Sequence, residues 1–168
     1  LDTDAMVLPG VGAFGAAAAR LAGGRNEIIA AMNRGFPCLG ICLGMQLLFD
    51  GSEEGTSRGL GLIPGTVRRL ASDSAFGPVR VPHMGWSQML VTSEHPLLKG
   101  LEADARYYFV HSFAADPADA GDVIGTSVHG NQFVSAVARG CVAGVQFHPE
   151  KSHRYGKALL SNFLGAAR

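Results

Sequence analysis

The sequence predicts one α/β domain, residues 1–168, with a central mixed, largely parallel sheet flanked by helices. Short apolar runs of strand type alternate with helical stretches in the N-terminal part of the chain, as in α/β folds. Farther along, Gly130-Asn131 separates two runs rich in β-branched residues, which indicates a hairpin. A final helical stretch at 153–166 closes the predicted domain.

Hydrophobic periodicity and turn residues predict the elements in chain order. Helices are predicted at 14–22, at 26–34 with Asn26 as N-cap, after Gly44, as one turn at 96–101, and at 153–166. Strands are predicted at 5–8, at the start of 36–49, twice within 60–70 around Pro64-Gly65, and at 106–113, 123–129, 132–138 and 141–147. Polar or loop-rich segments are predicted at 51–59 and 77–88.

Composition narrows the class of protein. The 14 basic and 14 acidic residues balance, so a general nucleic-acid surface is not expected. The longest apolar run, 36–49, is too short to span a bilayer and contains Pro37 and Gly40, so no membrane partner is expected. The three cysteines match no disulfide framework, and no secretory signal is recognisable, which favours the cytoplasm.

A candidate nucleophile lies in Gly40-x-Cys42-x-Gly44, between the apolar run of strand type and the following helix. This is the cysteine form of the nucleophile elbow, in which small neighbours permit a sharp turn. A thiol at a helix N-terminus is expected to have a lowered pKa, and the N–H of Leu43 points the same way, toward a developing oxyanion. The alternative is a structural cysteine, since cysteine is among the most buried residue types.

A candidate base and its orienting group lie in His148-Pro149-Glu150, at the end of a predicted strand. Residues two apart on an extended segment point to the same side, and Pro149 is expected to keep the segment extended. A histidine beside a carboxylate is the arrangement that supports a nucleophile. The alternative is an ordinary surface turn.

A glycine loop, Pro9-Gly10-Val11-Gly12, follows the first predicted strand, and its N–H groups are able to face a ligand. Taken alone, it is equally a plain connection between a strand and a helix. Together with Cys42 and His148, however, it ends a strand at what we expect to be one edge of a parallel sheet. Open α/β sheets bind their ligands at that edge.

The motifs resemble those of a known family, the class I (triad) glutamine amidotransferases, which have a flavodoxin-like fold. The general motifs are Gly40-Ile41-Cys42-Leu43-Gly44-Met45-Gln46 and His148-Pro149-Glu150-Lys151-Ser152. Three more are similar to the glutaminase subunits of imidazole glycerol phosphate synthases: Pro9-Gly10-Val11-Gly12-Ala13-Phe14-Gly15, Pro82-His83-Met84-Gly85-Trp86 and Tyr108-Phe109-Val110-His111-Ser112-Phe113. The resemblance covers essentially the whole chain.

The resemblance implies roles for individual residues in hydrolysing L-glutamine. Cys42 is the nucleophile, His148 the base and Glu150 its orienting group. The N–H of Leu43 and that of Val11 or Gly12 hold the oxyanion. The residues implied in glutamine binding are Gly10, Gln46, Glu54, Ser112 and Phe113, with Glu54 on the α-ammonium group; the alternative for Glu54 is a solvated loop charge.

The resemblance also implies a partner, a (β/α)8-barrel cyclase subunit that forms a heterodimer and receives the ammonia. The cyclase then forms imidazole glycerol phosphate and an aminoimidazole carboxamide ribotide in histidine biosynthesis. Trp86, Tyr108 and Lys151 match positions near that interface, and two aromatic rings beside a cation are typical of interface hot spots. The alternative is that Trp86 and Tyr108 are core aromatics. No cofactor is implied, and no metal, since the cysteines and histidines lack zinc-site spacing.

Two departures from the family pattern and two rival functions remain. Ser87 stands where the family usually has Asn, and the resemblance implies that a βα unit normally preceding the segment matching Leu1 is missing. One rival is another cysteine hydrolase of the same fold, a γ-glutamyl hydrolase or a peptidase, against which Lys151-Ser152 and 82–86 argue. The other is a non-catalytic docking module, against which the intact Cys42, His148 and Glu150 argue.

Overall fold

A computed structural model describes residues 3–166 of the chain; residues 1, 2, 167 and 168, the ends of the predicted domain, lie outside the described residues. The strands are β1 (Met6–Gly10), β2 (Cys38–Cys42), β3 (Gly51–Ser52), β4 (Gly65–Arg69), β5 (Asp73–Ser74), β6 (Gly77–Pro78), β7 (His83–Gln88), β8 (Leu90–Val91), β9 (Arg106–His111), β10 (Phe113–Pro117), β11 (Val123–His129), β12 (Asn131–Arg139) and β13 (Val142–Val145). The helices are α1 (Phe14–Leu21), α2 (Arg25–Asn33), α3 (Leu43–Gln46) and α4 (His153–Ala166).

Helices α1, α2 and α4 confirm the sequence prediction closely, and the turn at Pro96–Leu98 is a 3₁₀ helix. The N-cap at Asn26 is wrong, because the helix starts earlier and Gly24 precedes it. The helix after the elbow is only four residues long. Its expected continuation, up to Phe49, instead forms turns.

The predicted mixed sheet is confirmed, but parallel pairing occupies less of it than expected. Nine of the strands within residues 3–166 form one sheet, with β1-β2-β13-β12-β10-β4-β3 in order; β11 also pairs with β12, and β8 pairs with β11. Pairing is parallel only in β1–β2, β2–β13 and β3–β4. The C-terminal meander, including the predicted hairpin of β11 and β12, pairs antiparallel because short connections reverse the chain direction.

Two segments differ from their predicted structure. Only one strand, β4, occurs within 60–70, because Leu60, Leu62 and Ile63 hydrogen-bond to the turn after α3 instead of to a sheet. The segment 77–88, expected to be loop-rich, contains β7, which pairs antiparallel with β9 over its whole length. Its glycine and proline residues are typical of loops, so the sequence did not indicate the strand β7, whose inner side is covered by the sheet.

The core lies on both faces of β2, so the strand that leads to Cys42 is buried at every position. On one face Leu39 and Ile41 pack in a cluster that includes Leu159 and Phe163 of α4. On the other face Cys38 packs with residues of α2 and α3 and the turn that follows α3. This double burial fixes the end of the strand.

Among the described residues no helix combines the length and the apolar character that a membrane span requires. Cys38 is fully buried, whereas Cys141 is only partly buried and lies in the turn before β13. Burial raises the pKa of the Cys38 thiol to about 12. Cys141 donates a hydrogen bond to the Met32 carbonyl at 3.1 Å. Both therefore have structural roles.

Candidate active site

Cys42 occupies the strained turn between β2 and α3, as the elbow motif predicts. Its backbone has φ 52° and ψ −112°, a left-handed conformation that costs a non-glycine residue about 1–3 kcal/mol. Glycine is required on both sides. A Cβ on Gly40 would lie 2.7 Å from the backbone of Met45, and one on Gly44 would collide with the carbonyl oxygen of Leu8.

The expected lowering of the Cys42 pKa is wrong for the structure as it stands. Burial raises the pKa of the thiol to about 11, although hydrogen bonds from the Leu43 N–H and the Gln146 amide lower it, as does the charge of Lys151. The residue is 6% exposed, and helix α3 is too short for its dipole to outweigh desolvation. The thiol is therefore neutral at pH 7, and a neighbouring base is needed to deprotonate it.

His148 has the surroundings of such a base. Its Nδ1 is 2.6 Å from Oε1 of Glu150, and its Nε2 is buried without a hydrogen-bond partner among the described residues. The predicted pairing is present, but the reasoning from Pro149 was wrong, because Pro149–Lys151 forms a 3₁₀ turn. Glu150 reaches back across that turn to bind the ring.

The parallel pairing of β2 and β13 brings the two motifs to the same edge of the sheet. Ile41 pairs with Val145, so Cys42 and Gln146 follow side by side. Within residues 3–166, Cys42 makes no hydrogen bond to His148; its Sγ donates to the Val110 carbonyl at 3.9 Å. The thiol proton is therefore directed at Val110 in this structure.

A cavity of about 350 Å³ opens on the thiol. It is lined by Val11, Gly12, Cys42, Leu43, Gln46, Glu54, Pro82, Val110, His111, Ser112 and Phe113. Of the predicted oxyanion and glutamine-binding residues, only Gly10 is not part of this wall. A cavity of about 720 Å³ between α2 and Phe36–Pro37 is larger, but it contains no nucleophile or histidine. The smaller cavity is the candidate active site.

The predicted glycine loop is half strand. Pro9 and Gly10 belong to β1 and pair with Ile41 and Cys42, so only Val11 and Gly12 are free of the sheet. Because Gly10 has no Cβ, β1 packs closely against the elbow; a Cβ at this position would lie 3.1 Å from the Leu43 side chain. Gly12 has φ 103°, which L side chains rarely adopt.

Gln46 is 5% exposed, and hydrogen bonds fix the orientation of its side-chain amide. Its Nε2 donates to the Phe113 carbonyl at 3.0 Å and to Oε1 of Gln146 at 3.1 Å. Its own oxygen remains available to a ligand. Sequence reasoning missed Gln146, although alternation along an extended segment places residues 146 and 148 on the same side.

Glu54 is exposed, but it is not a free loop charge. Its Oε2 accepts a hydrogen bond from the Phe14 N–H at 2.7 Å, at the N-terminus of α1. The cap residue of that helix, Ala13, has no side chain able to accept a bond, so Glu54 supplies the missing acceptor from a distant loop. Its other oxygen remains available at the cavity.

Beside the cavity, two histidines are linked directly. His83 Nδ1 is 3.1 Å from His111 Nε2, and His111 Nδ1 is 2.8 Å from the Phe113 carbonyl. Burial lowers the pKa of His83 to about 4 and that of His111 to about 3, so both rings are neutral at pH 7. A carbonyl only accepts, so His111 donates to it and His83 donates to His111.

Ser87, which stands where the family usually has Asn, hydrogen-bonds to this pair of histidines. Its Oγ lies 3.0 Å from Nε2 of His83, and the tautomer that His111 imposes makes Ser87 the donor. Ser87 therefore stabilises the neutral imidazole pair. Within residues 3–166, no group of three or more His, Cys, Asp or Glu side chains is arranged to hold a metal ion.

The residues predicted at a partner interface lie together on the surface. Trp86 is 42% exposed and meets Tyr108 edge to face at 5.7 Å, while Nζ of Lys151 lies 5.5 Å from the Tyr108 ring. The core alternative is therefore wrong for Trp86. His153, which sequence reasoning missed, stacks parallel on Trp86 at 5.2 Å. Its position directly after the motif 148–152 was the available signal.

Comparison with known proteins shows the family to which this chain belongs. The family model "Glutamine amidotransferase class-I" matches residues 2–167, and the chain belongs to that family. An "Imidazole glycerol phosphate synthase subunit HisH" of Microcystis aeruginosa is 48% identical over 165 residues, covering 96% of this chain and 76% of the relative. A protein of the same name from Nitrosomonas europaea is 47% identical over 166 residues, covering 95% and 77%.

Solved structures agree with the fold. "Structure of PurLQS from Thermotoga maritima" superposes with a TM-score of 0.76 at 23% identity, covering 100% of this chain and 82% of that one. A glutamine amidotransferase from Thermotoga maritima gives a TM-score of 0.63 at 18% identity, covering 96% and 62%. At these identities the likeness concerns the fold alone.

Proposed function

We propose that this chain is the glutaminase subunit of an imidazole glycerol phosphate synthase and hydrolyses L-glutamine to L-glutamate and ammonia. The observation that carries the proposal is the pairing of His148 with Glu150 through Nδ1, while Nε2 lies buried beside the strand of Cys42 with no hydrogen-bond partner among residues 3–166. The relatives named as HisH subunits support the particular synthase. Their name does not specify the residues, which we assign by chemistry.

In the proposed reaction, the Sγ proton of Cys42 moves to Nε2 of His148, and the sulfur attacks the side-chain carbonyl carbon of glutamine. The C–N bond breaks as His148 gives its proton to the leaving ammonia, which leaves a thioester. Water, deprotonated by His148, then releases glutamate and the free thiol. Glu150 stabilises the imidazolium in both halves of the reaction.

The oxyanion of each tetrahedral intermediate is placed at the start of α3. The Leu43 N–H, whose hydrogen bond lowers the pKa of the Cys42 thiol, supplies one donor. The second donor is the N–H of Val11 or Gly12, in the part of the glycine loop that lies outside β1. Each such donor contributes about 10²–10³ to the rate in well-studied hydrolases.

Glutamine binding is assigned to polar groups around the cavity. The free oxygen of Gln46, the backbone at Ser112 and Phe113, and the carboxylate of Glu54 supply acceptors and donors for the amino-acid end. Glu54 takes the α-ammonium group with the oxygen that Phe14 does not use. Gly10 contributes through its close packing beneath Leu43.

The partner is proposed to be a (β/α)8-barrel cyclase that forms a heterodimer and consumes the ammonia. Trp86, Tyr108, Lys151 and His153 form a half-exposed aromatic and cationic patch of the kind that anchors interfaces. We place the pair of subunits in the cytoplasm, where the three free cysteines stay reduced.

The test is an assay of glutamate release with L-glutamine, with a γ-glutamyl peptide and with an unrelated peptide, each with and without the barrel cyclase. We expect turnover of free glutamine, increased by the partner, and formation of imidazole glycerol phosphate when the cyclase substrate is present. Turnover of either peptide in preference to glutamine would instead identify a γ-glutamyl hydrolase or peptidase. Binding of the barrel cyclase without any turnover would identify a docking module.

A further inference from the structure

The side chain of Gln146 is completely buried between two residues of the candidate site. Its Oε1 accepts a hydrogen bond from Nε2 of Gln46 at 3.1 Å, and its Nε2 lies 3.6 Å from Sγ of Cys42. Its backbone N–H, bonded to the Ser135 carbonyl at 2.9 Å, extends the pairing of β13 with β12 by one residue. The amide is therefore held at both ends.

The direction of this amide follows from the groups around it. The Phe113 carbonyl only accepts, so the end of Gln46 that faces it is the NH₂ group. That NH₂ group also faces Gln146, so the atom of Gln146 that accepts its hydrogen bond is the side-chain oxygen. The NH₂ group of Gln146 is thereby directed at Cys42, and rotating the amide would set two donors against each other at Gln46.

We propose that Gln146 supplies a hydrogen-bond donor to the Cys42 thiolate and positions Gln46 for glutamine. The inference rests on the proposed function of the site, and it adds a residue outside the Cys42, His148 and Glu150 set. One amide thus couples the group that reacts to the group that binds substrate. The Val110 carbonyl accepts the proton of the resting thiol, so Gln146 still donates to the sulfur when that proton leaves.

The two ends of the amide make separable contributions. Gln146→Glu keeps an acceptor for Gln46 but puts a carboxyl oxygen against the sulfur. Gln146→Met has similar length, suits a buried site and removes both hydrogen bonds. Gln132 offers a matched control, since it is exposed on β12 and bonds to Thr126 away from the cavity.

The first measurement is the pH profile of Cys42 alkylation by iodoacetamide, followed by mass spectrometry of the cysteine peptides. We expect both Gln146 variants to shift the profile to higher pH and to lower thiolate reactivity at a given pH by about 10- to 100-fold, as for a lost bond to a charged group. Gln132→Glu and Gln132→Met should follow the wild type. This assay needs no glutamine turnover, so it remains valid if the proposed function fails.

Steady-state kinetics then separate the two ends. Gln146→Glu should lower kcat and leave KM for glutamine within about threefold, whereas Gln146→Met should also raise KM by about tenfold, because Gln46 loses its anchor. Equal changes in KM and kcat in both variants, with an unshifted alkylation profile, would mean that Gln146 only fills space and would overturn the proposal.

A measurement on the wild type avoids variants that fail to fold. The side-chain carboxamide carbon resonances of Gln146 and Gln132 are followed by ¹³C NMR, which does not depend on exchangeable protons, while the pH is raised through the titration of Cys42. We expect the Gln146 amide to shift with the same midpoint as the alkylation profile, and the Gln132 amide to stay unchanged. A Gln146 resonance that ignores the titration would refute the contact with the thiolate.

Discussion

The strand that carries Cys42 and the loop that follows β1 meet in the same cavity, but they are constructed differently. All five residues of β2 are buried, and glycines at 40 and 44 let the neighbouring backbone approach closely. Val11, by contrast, is 78% exposed, and apart from the two chain neighbours no heavy atom of the described residues lies within 4 Å of a Cβ placed on Gly12. The elbow around Cys42 is therefore closely packed, whereas the loop has room to reorient the N–H that we propose as an oxyanion donor.

The largest effect on glutamate release is expected at Cys42, in the closely packed elbow. Cys42→Ala should reduce glutamate release by at least about 10⁴-fold, since removing the nucleophile abolishes the covalent route. Cys141→Ala, which changes a partly buried thiol outside the cavity, is the matched control and should keep near-normal turnover. Undiminished turnover in Cys42→Ala would remove the nucleophile from the account.

The second largest effect on glutamate release is expected from the loop that contains Val11 and Gly12. Glutamate release by the chain alone should be slow and should rise by about 10²–10³ when the barrel cyclase and its ligand are added, because a turned loop lacks one oxyanion donor. Lys151→Ala should lose this stimulation but retain labelling of Cys42 by an electrophilic glutamine analogue. A rate that is the same alone, with partner and with partner plus ligand would mean that Val11 and Gly12 are already in place.

A smaller loss is expected at Glu150. Glu150→Gln still offers an acceptor to Nδ1 of His148 but removes the negative charge that stabilises imidazolium. Turnover should fall by about 10- to 100-fold, the worth of one charge-assisted hydrogen bond, while circular dichroism stays unchanged. Equal rates for the variant and the wild type would show that the 2.6 Å contact has no part in the reaction.

Two glycine substitutions sharpen the comparison through stability. Gly44→Ala drives a methyl group into the Leu8 carbonyl and should lower the free energy of unfolding by about 3 kcal/mol or more. Gly12→Ala meets no atoms but must adopt φ 103°, and should cost about 1–2 kcal/mol. Urea unfolding measures both, and similar losses would contradict the contrast between a rigid elbow and a free loop.

Local sequence patterns were enough to predict several local features of the candidate site. Glycines around Cys42, a carboxylate two residues after His148 and an exposed Trp86 each reflect a local steric or chemical need. The thiol pKa was mispredicted because burial on both faces of β2 depends on the folded sheet, which no short motif encodes. Gln146 was missed for the same reason, since its partners Gln46 and Cys42 lie 100 and 104 residues away.

The fold shows the same division between local and long-range information. Helices α1, α2 and α4 and the β11–β12 hairpin carry their signals in adjacent residues, and their bounds were predicted to within about one residue. Strand β7 carries Gly85 and follows Pro82, and it exists because β9 pairs with it across a long loop. The share of parallel pairing was overestimated because strand order is set by tertiary packing.

The most direct test of the central claim is to treat the protein with a glutamine analogue that carries an electrophile at the amide position, and to locate the adduct by mass spectrometry. We expect a single adduct on Cys42, prevented by an excess of L-glutamine and slowed in His148→Ala. Labelling of Cys38 or Cys141 instead, or labelling of Cys42 that L-glutamine does not prevent, would contradict the claim that Cys42 is the nucleophile of a glutaminase.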